Sequence, residues 1–595
     1  MEHPVFGLFA ENDRGSSFRL FTHPVRVIAA ASAAEVLPAI REVESAVDGG
    51  FHAAGFITYE AAPGLDPSLV TCEAGDRPLL GFGLFRDSRV IDMSGVEEVL
   101  AVGTVDQQPP EMQWTPLVSQ ASYNRSIRTI KDHLIRGNAY QVNLTFKMLA
   151  LYDKKMKNNI YRRFLKYYNI CSVIFKFSEF ECVSFSPELF FELHGTRLWS
   201  KPMKGTARRG LTTDEDEENA RLLQNSEKNR AENLMILDMI RNDMGKVAEP
   251  GSVVVPALFE VETHPTVLQM TSTVECRTAA GFAEIMGALF PCASVTGAPK
   301  VRTMQIINQL EGRPRGVYTG AMGFLLPKRR ARFNVAIRTV EFHETTGRAE
   351  YGVGSGIVWD STADEEYEEC VLKAEILTVE EPEFDLLETI LWETDGGFFL
   401  LDEHLRRVQR SAVYFGFELR VAELRHQLRR MEASFPDSDL RVRVLVSRCG
   451  RWRVETHPLP RETRERPLVI GFARHAVRSD NVFLRHKTTH RRVYEEAGKD
   501  LPYDDVILFN ERNEITETTT ANIVMRRGTE LVTPSLRSGL LSGVFRNYLI
   551  DKNKIKEDCI KMEEIKNIES LFLINSVRKW MPAVVECGGG GIEPS

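Results

Sequence analysis

Two spacings of apolar positions run through this chain. Val183–Phe185, Val335–Val340 and Tyr351–Val358 are short runs of β-branched and aromatic residues, and they predict strands. Ala231–Arg241 and Asp364–Leu377 carry the wider spacing of helices. In the first helix Glu232, Met235, Ile236 and Met239 fall on one face, so a carboxylate begins an otherwise apolar stripe. In the second, Glu366, Glu369 and Lys373 are spaced i, i+3 and i+7 and share a face. Pro299 suits the first turn of a further helix, where its missing N–H costs nothing, and Ile306 and Ile307 reach Leu310 to support that helix. Strands and helices alternate irregularly in both halves, without an internal repeat.

The helical pattern ends near Leu377, and a new apolar strand pattern begins at Phe384–Trp392. Between them lies the acidic, proline-containing stretch Thr378–Glu383, which reads as a linker. The expected organisation is a first domain over 1–378 (residues 1–115 as an N-terminal section and 116–378 as a core), a linker at 379–383, a second domain over 384–585 and a flexible tail at 586–595. Lys154–Phe177 and Asp551–Ile568 differ from the rest in their Lys, Ile, Asn and Tyr content, which fits either solvated helices or segments of separate coding history.

Composition narrows the class. The 595 residues are 43% hydrophobic and 27% charged, which is globular rather than disordered or fibrous. A net charge of −8 argues against a nucleic-acid partner. The nine cysteines are scattered and form no CxxC pair, which fits a reducing compartment and neither a disulfide scaffold nor a zinc site. The stretch MEHPVFGLFAENDRG lacks a basic region followed by an apolar one, so no signal peptide is expected, and no apolar run approaches the ~18 residues of a membrane helix. A cytoplasmic protein without membrane attachment is expected.

The polar positions then suggest chemistry. Two carboxylates on one helix face suit a hard cation such as Mg²⁺, although a solvated charged face would look the same. Glu232 heading an apolar stripe is costly to bury without a metal or partner, unless it simply complements its helix dipole. Backbone N–H groups in Ser294–Arg302 (SVTGAPKVR) and in Gly352–Gly356 could hold an anion, and Arg338 could grip a carboxylate with two hydrogen bonds.

Together these pieces resemble the chorismate-utilising enzymes, a group that includes anthranilate synthase large subunits, isochorismate and salicylate synthases, and aminodeoxychorismate synthases. The resemblance runs from about Tyr123 to Leu377. It is carried by SPE at Ser186–Glu188, KPMKGT at Lys201–Thr206, AENLMILDMIRNDMGKV, SVTGAPKVR, AIRTV, GVGSGIV and the EEYEE helix. Gly55–Pro67 looks like the N-terminal portion of the same fold. The resemblance implies Mg²⁺ held by Glu232 and Glu369, with Glu366 nearby through water. It implies Glu188 as general acid or base at the C4 hydroxyl of chorismate, and a substrate pocket formed by Arg338, Thr296, Gly297, Gly354, Gly356, Lys373, Gln141 and Gln269.

Lys204 selects the branch. Aminodeoxychorismate synthases carry lysine in this motif, where anthranilate synthases usually carry alanine. An uncharged amine can add to the ring as the C4 hydroxyl leaves, and ammonia can then expel it. Gln141 stands where water-using relatives carry a lysine base. Gln269 stands where anthranilate synthases carry a histidine linked to pyruvate elimination, and glutamine cannot supply that proton chemistry. Asn229 departs from the acidic residue many relatives have. No cysteine sits in a glutaminase-like setting, so ammonia is expected from a separate glutamine amidotransferase subunit.

The second domain carries Asp402–Arg407 (DEHLRR), His486–Arg491 (HKTTHR), Asn510–Val524 and Gly539–Arg546 in order. Pyridoxal phosphate needs a lysine, a carboxylate at its ring nitrogen and a phosphate cup. Lys487, Glu517, the Thr519 and Thr520 hydroxyls, and the backbone of Gly543, Val544 and Phe545 could supply them. The order resembles the fold-type IV (class IV) aminotransferases and, within them, aminodeoxychorismate lyase. It implies Arg407 on the phosphate and a homodimer through this domain. The resulting expectation is an α+β chain with a β-sandwich-like α/β chorismate-binding region and a two-lobed, D-amino-acid-aminotransferase-like region, converting chorismate to 4-aminobenzoate for folate. An anthranilate synthase fused to a branched-chain or D-amino-acid transaminase, and a non-catalytic scaffold for a glutaminase, are the alternatives.

Overall fold

Strand Val5–Ala10 shows how the first region is layered. Val5 and Phe9 point to one side and Leu8 and Ala10 to the other, and all four are buried. A strand buried on both faces must lie inside a stack rather than on its surface. Strand His52–Ile57 behaves the same way, with Ala54 and Phe56 facing the layer that holds Phe9 and with Ala53 and Ile57 facing away from it.

In the computed structural model these strands belong to two different ten-stranded sheets. The sheets meet through a layer of rings, with Phe9 5.8 Å from Phe324 and Phe56 5.5 Å from Phe177 between centroids, both edge-on. Burying each such ring contributes about 1.5–3 kcal/mol. The outer face of the first sheet is covered by Gln120–Ile135, Lys154–Tyr167, Lys300–Glu311 and Ala363–Leu372. The outer face of the second is covered by Ala33–Asp48, Glu227–Gly245 and Phe282–Leu289. The order is helix, sheet, sheet, helix. The structure describes residues 5–11, 17–75, 77–100, 111–167, 171–264, 267–378, 382–459, 466–565, 568 and 570–586, with nothing stated for the side chain of residue 167.

The chain divides into two compact units. One is Met1–Ala207 with Ala220–Glu380, and the other is Arg208–Asn219 with Glu381–Ser595. The expected break between an N-terminal section and a core of the first region does not divide it. Strand His52–Ile57 pairs with Ala321–Leu326, so early and late sequence share one sheet. The second unit holds a four-stranded sheet built on Leu386–Glu393, with its own core under helices Leu401–Phe415 and Val421–Met431. A separate eight-stranded mixed sheet has Leu468–Phe472 parallel to both neighbours. Part of the expected linker, 379–381, and nearly all of the expected tail, 587–595, lie outside the described residues.

Two expected elements differ. Val335–Val340 is not one strand: Arg330–Val335 lies in the second sheet, Thr339–His343 in the first, and the chain crosses between them with Arg338 at φ 50°. The lysine-rich segments are more than solvated surface, because Ile160, Phe164, Ile555, Ile560 and Ile565 are all buried. No helix among the described residues is long and apolar enough to cross a membrane.

Candidate active sites

The first site forms where the chain changes sheets. Phe180–Ser184 and Leu189–His194 lie in different sheets, so Ser186–Glu188 spans the gap in one direction and Ala336–Arg338 in the other. The two crossings are tied together, since Phe185 N donates to Arg338 O (3.0 Å) and Val335 N to Glu188 O (3.1 Å). Ser186 fixes the turn by donating to Val335 O (2.7 Å) and accepting from Glu188 N (3.2 Å). Glu188 is 4% exposed, and its Oε1 has no partner. Burial raises its pKa to about 7, against the pull of the Ser294 hydroxyl and the Lys204 ammonium. Burial also draws the Arg338 guanidinium below its usual value, with Tyr351 opposing. Among the described residues no carboxylate pairs with Arg338.

Lys204 enters from strand Met203–Arg208 at the edge of the second sheet. Its Nζ is 3.8 Å from Glu232 Oε2, and its charge is felt by both Glu188 and Glu369. A Cβ on Gly356 would stand 2.7 Å from this Nζ and 2.8 Å from Gln141 Nε2, so amine and amide converge over the bare strand Arg348–Ile357. Gln141 is fully buried, and neither atom of its amide group has a partner. Unpaired buried polar atoms are costly, and here they face the same space as the amine. The Lys204 backbone is held from below. Asn233 Nδ2 donates to Lys204 O (3.1 Å), and Gln269 accepts from Thr206 Oγ1 (3.1 Å) while donating to Gly205 O (2.8 Å).

Glu369 and Lys373 form an ion pair at 2.7 Å, and Lys373 Nζ also donates to Gly354 O (2.8 Å). Burial pushes the Glu369 pKa up, but Lys373 and then Lys204 outweigh it and hold it low. Glu366 lies one turn earlier on the same helix. Among the described residues no three acidic, histidine or cysteine side chains form a preassembled metal cage.

In the second unit, Leu387 N donates to Lys487 O (3.0 Å), which fixes the lysine backbone against strand Leu386–Glu393. Burial lowers the Lys487 pKa to about 8, with Arg407 and Arg491 assisting and Glu388 and Glu517 opposing. Glu517 is 4% exposed and accepts from Tyr494 OH (2.8 Å), Leu541 N (3.0 Å) and Asn522 Nδ2 (3.2 Å). Burial nonetheless raises it to about 7. Asn522 also packs on Gly543, where a Cβ would fall 1.9 Å from Asn522 Oδ1. Gly543 caps helix Val544–Asp551, so the first N–H groups of that helix have no partner within it. Arg407 is clamped by Glu388 through Nε (2.8 Å) and a terminal nitrogen (2.7 Å), and it also donates to Ser542 O (3.3 Å). His404 Nδ1 meets the same carboxylate at 2.7 Å. Arg407 first, with the His404 hydrogen bond assisting, holds Glu388 down at about 2 despite burial.

Residues 8–379 match the family described as chorismate binding enzyme. The chain belongs to this family. Residues 385–585 match class IV amino-transferases, whose fold implies pyridoxal phosphate. A probable chloroplastic aminodeoxychorismate synthase from Oryza sativa subsp. japonica is 40% identical over 272 residues, covering 44% of this chain and 30% of the relative. Aminodeoxychorismate synthase component 1 from Salmonella typhimurium is 37% identical over 258 residues, covering 43% and 56%. The chain thus spans about half or less of the length of these relatives. Anthranilate synthase component I from Streptococcus pneumoniae TIGR4 shares the fold at a TM-score of 0.52, with 23% identity over 63% of this chain and 90% of that one. The mixed α/β architecture, a chorismate-binding fold followed by a class IV aminotransferase-like fold, is the one the motifs implied.

In this chorismate binding enzyme the structure gathers Glu188, Lys204, Glu232, Glu369, Lys373, Gln141, Gly356 and Gln269 around one site. The glycine stretch Gly352–Gly356 is extended strand rather than an anion nest, and its missing Cβ atoms make room for Lys204, Gln141 and Tyr318. The Thr296 hydroxyl donates to Cys292 O and Ala293 O, both at 3.3 Å, and Gly297 permits a close backbone approach to Gln141 O at φ 133°. The Thr519 and Thr520 hydroxyls both donate to Asp505, at 2.6 and 2.7 Å. Sequence reasoning missed Asn233, Glu388, His404, Tyr494 and Asn522. Two had a signal: Glu388 interrupts the apolar run Leu386–Trp392, and His404 precedes Arg407 by three helical positions.

Proposed function

We propose that the chain aminates chorismate at C4 to 4-amino-4-deoxychorismate in its first region and eliminates pyruvate from that product in its second, releasing 4-aminobenzoate for folate synthesis. The observation that carries the first half is the Lys204 amine, set among Glu188, Glu232 and Glu369 and beside the unpartnered Gln141 amide. Arg338, which lacks an acidic partner among the described residues, binds a substrate carboxylate. The protonated form of Glu188, populated near neutral pH because of burial, gives its proton to the departing C4 hydroxyl. The Lys204 nitrogen forms a bond to the ring as the C4–O bond breaks and water leaves. Ammonia then forms the C4–N bond and the lysine–carbon bond breaks, so chorismate and ammonia give aminodeoxychorismate and water. A separate glutamine amidotransferase subunit supplies the ammonia.

Glu232 and Glu369 would hold Mg²⁺, with Glu366 through water. Carboxylate oxygens are the donors such a hard ion takes, and both glutamates lie within electrostatic reach of Lys204. Without a preassembled cage, the substrate's own carboxylate would complete the shell. Bound there, the ion would neutralise substrate charge and polarise the C4 hydroxyl.

The second site fits pyridoxal phosphate by its buried lysine, its buried carboxylate and the Gly543 cradle that a side chain would fill. The cofactor supplies an electron sink to the carbon that loses a proton. Lys487, near neutral pH already partly uncharged, would bind it and move that proton. Glu517 would hold the ring-nitrogen proton, while Arg407 and the N–H groups of Val544 and Phe545 would receive the phosphate. The Thr519 and Thr520 hydroxyls, which donate to Asp505, order the turn they belong to.

Chorismate, ammonium, Mg²⁺ and pyridoxal phosphate should give 4-aminobenzoate and pyruvate. Lys204→Ala should slow chorismate consumption by roughly a thousandfold. Lys487→Ala should accumulate aminodeoxychorismate. Anthranilate as the product would reject the proposal, and undiminished turnover by Lys204→Ala would reject the covalent step.

A further inference from the structure

The second compact unit contains twelve residues that are remote from it in sequence. The segment Arg208–Asn219 follows the Lys204 strand, yet it packs within the unit formed by Glu381–Ser595. It is held there as a folded strap. The Arg209 guanidinium lies 4.4 Å over the Tyr414 ring, donates to Tyr414 O (2.9 Å) and pairs with Asp216 (2.7 Å). Tyr414 OH donates to Gly210 O (2.7 Å) in return. Gly210 N donates to Asp216 Oδ1 (2.7 Å), and a Cβ at this glycine would lie 2.4 Å from Glu215 Cβ, so the turn needs glycine.

The strap also touches the residue before the cofactor lysine, through Leu211. His486 Nε2 is 3.1 Å from Leu211 O, and its Nδ1 is 2.9 Å from Ser411 Oγ. A carbonyl oxygen can only accept, so Nε2 carries the proton, and in the neutral ring Nδ1 accepts from the Ser411 hydroxyl. Burial first, with Arg209 assisting, lowers the His486 pKa to about 4, so the ring is neutral at working pH. Tyr414 and Phe415 pack on this ring at 4.5 and 4.8 Å. His486 therefore cannot rotate without breaking a bond at each nitrogen and losing two ring contacts. Leu387 N holds Lys487 O from the other side.

We propose that the Arg208–Asn219 strap is a positioning element of the Lys487 site, acting through the Arg209–Tyr414 pair and the Leu211–His486 bond. Strand Met203–Arg208 carries Lys204 and leads directly into the strap. The strap's role rests on Lys487 being the cofactor lysine.

The test uses the full-length chain. Pyridoxal phosphate is titrated into wild type, Arg209→Ala, Arg209→Lys, Tyr414→Phe and Lys487→Ala, reading the visible absorbance of lysine-bound cofactor for both affinity and pH midpoint. Melting temperature and chorismate consumption are read on the same samples. Arg209→Ala should bind the cofactor about tenfold more weakly, as expected for one lost charge-assisted contact, and should shift the pH midpoint. Arg209→Lys should recover part of the affinity. Tyr414→Phe, which keeps the ring and loses one hydroxyl, should show a smaller shift in the same direction without unfolding. Cofactor affinity and midpoint equal to wild type in Arg209→Ala and Tyr414→Phe would overturn the strap's role. Retention of the band in Lys487→Ala would instead overturn the assignment of the lysine.

Discussion

Gly356→Ala tests the position of the Lys204 amine with one methyl group. Gly356 sits in extended strand with an ordinary backbone conformation, so alanine costs little there in the backbone. The new Cβ would be 2.7 Å from Lys204 Nζ and 2.8 Å from Gln141 Nε2. Both atoms end flexible side chains, so the clash is relieved by their retreat rather than by movement of the sheet. Reaching van der Waals distance requires a shift of about 0.7–1 Å. A displacement of that size at a reacting atom costs about a hundredfold in rate. Overpacking relieved by flexible ends should cost only about 1 kcal/mol of stability. The assay is chorismate consumption with saturating ammonium and Mg²⁺, beside a urea melt and a lyase assay on supplied aminodeoxychorismate. The first rate should fall about a hundredfold while the lyase rate and fold persist. Gly352→Ala is the contrast, because its Cβ would lie 2.2 Å from the buried Tyr318 ring and should destabilise the fold. A Gly356→Ala enzyme within twofold of the wild-type rate would refute the placement of the amine over this strand.

Three further outcomes follow from the electrostatics. Chelation with EDTA should stop chorismate consumption and leave the lyase step running; persistence of both would remove the Glu232–Glu369 metal. Glu517 has a folded pKa of about 7, above its ordinary 4.5, so its contribution is complete below the lower value and lost as pH rises through the upper one. Cofactor-free Glu517→Gln should therefore gain on wild type by up to about 3 kcal/mol between mildly acidic and mildly basic pH, and a constant difference in urea melts would count against this. Glu388 is held at about 2, so its stabilisation is present above the ordinary carboxylate value and fades only as pH falls toward 2. Glu388→Gln should cost about 3 kcal/mol at neutral pH, because it leaves the half-buried Arg407 without its counter-ion. A loss below 1 kcal/mol in a denaturant melt would show that Arg407 finds another partner.

The candidate residues of both sites were legible because they stand in short, ordered motifs. Lys204, Glu188, Glu232 and Glu369 could each be picked out, and so could Lys487 and Glu517. Their convergence was not legible. The crossings that carry Glu188 and Arg338 are joined because the chain leaves one sheet at Ser186–Glu188 and returns at Ala336–Arg338, and an apolar run such as Val335–Val340 does not reveal that its two ends pair with different sheets. Asn233 was hidden for a related reason. It looks like an ordinary polar position on the Glu232 helix, yet it anchors Lys204 O, Met270 O and Ser272 at once. What the Thr519 and Thr520 hydroxyls meet was not legible either, because a Thr-rich turn does not show that both donate to a buried aspartate. Spacing reports which face a residue is on, and only tertiary pairing reports what that face meets.

The two sites share one physical device, and it explains why their supporting residues are so different from their reactive ones. Each places a carboxylate where burial, not a neighbouring base, raises its pKa to about 7: Glu188 in one unit and Glu517 in the other. A buried carboxyl tuned in this way can hold a proton near neutral pH, but it stays buried only if the surrounding backbone is rigid. That rigidity is visible as hydrogen bonds to main-chain atoms, from Ser186 beneath Glu188 and from Leu541 N onto Glu517. Where a group must remain charged, the protein does the opposite and gives it a counter-ion and further hydrogen bonds, as Arg407 and His404 do for Glu388. Loosening the backbone around Glu188, for example by Ser186→Ala, should therefore let water in and return its pKa toward the ordinary carboxylate range. A general acid is lost as pH rises through its pKa, so the alkaline limb that Glu188 sets in the chorismate pH–rate profile would move to lower pH even though no reacting group had been changed. An unmoved limb with a lowered rate would mean that Ser186 holds geometry alone and that burial is maintained by the sheets themselves.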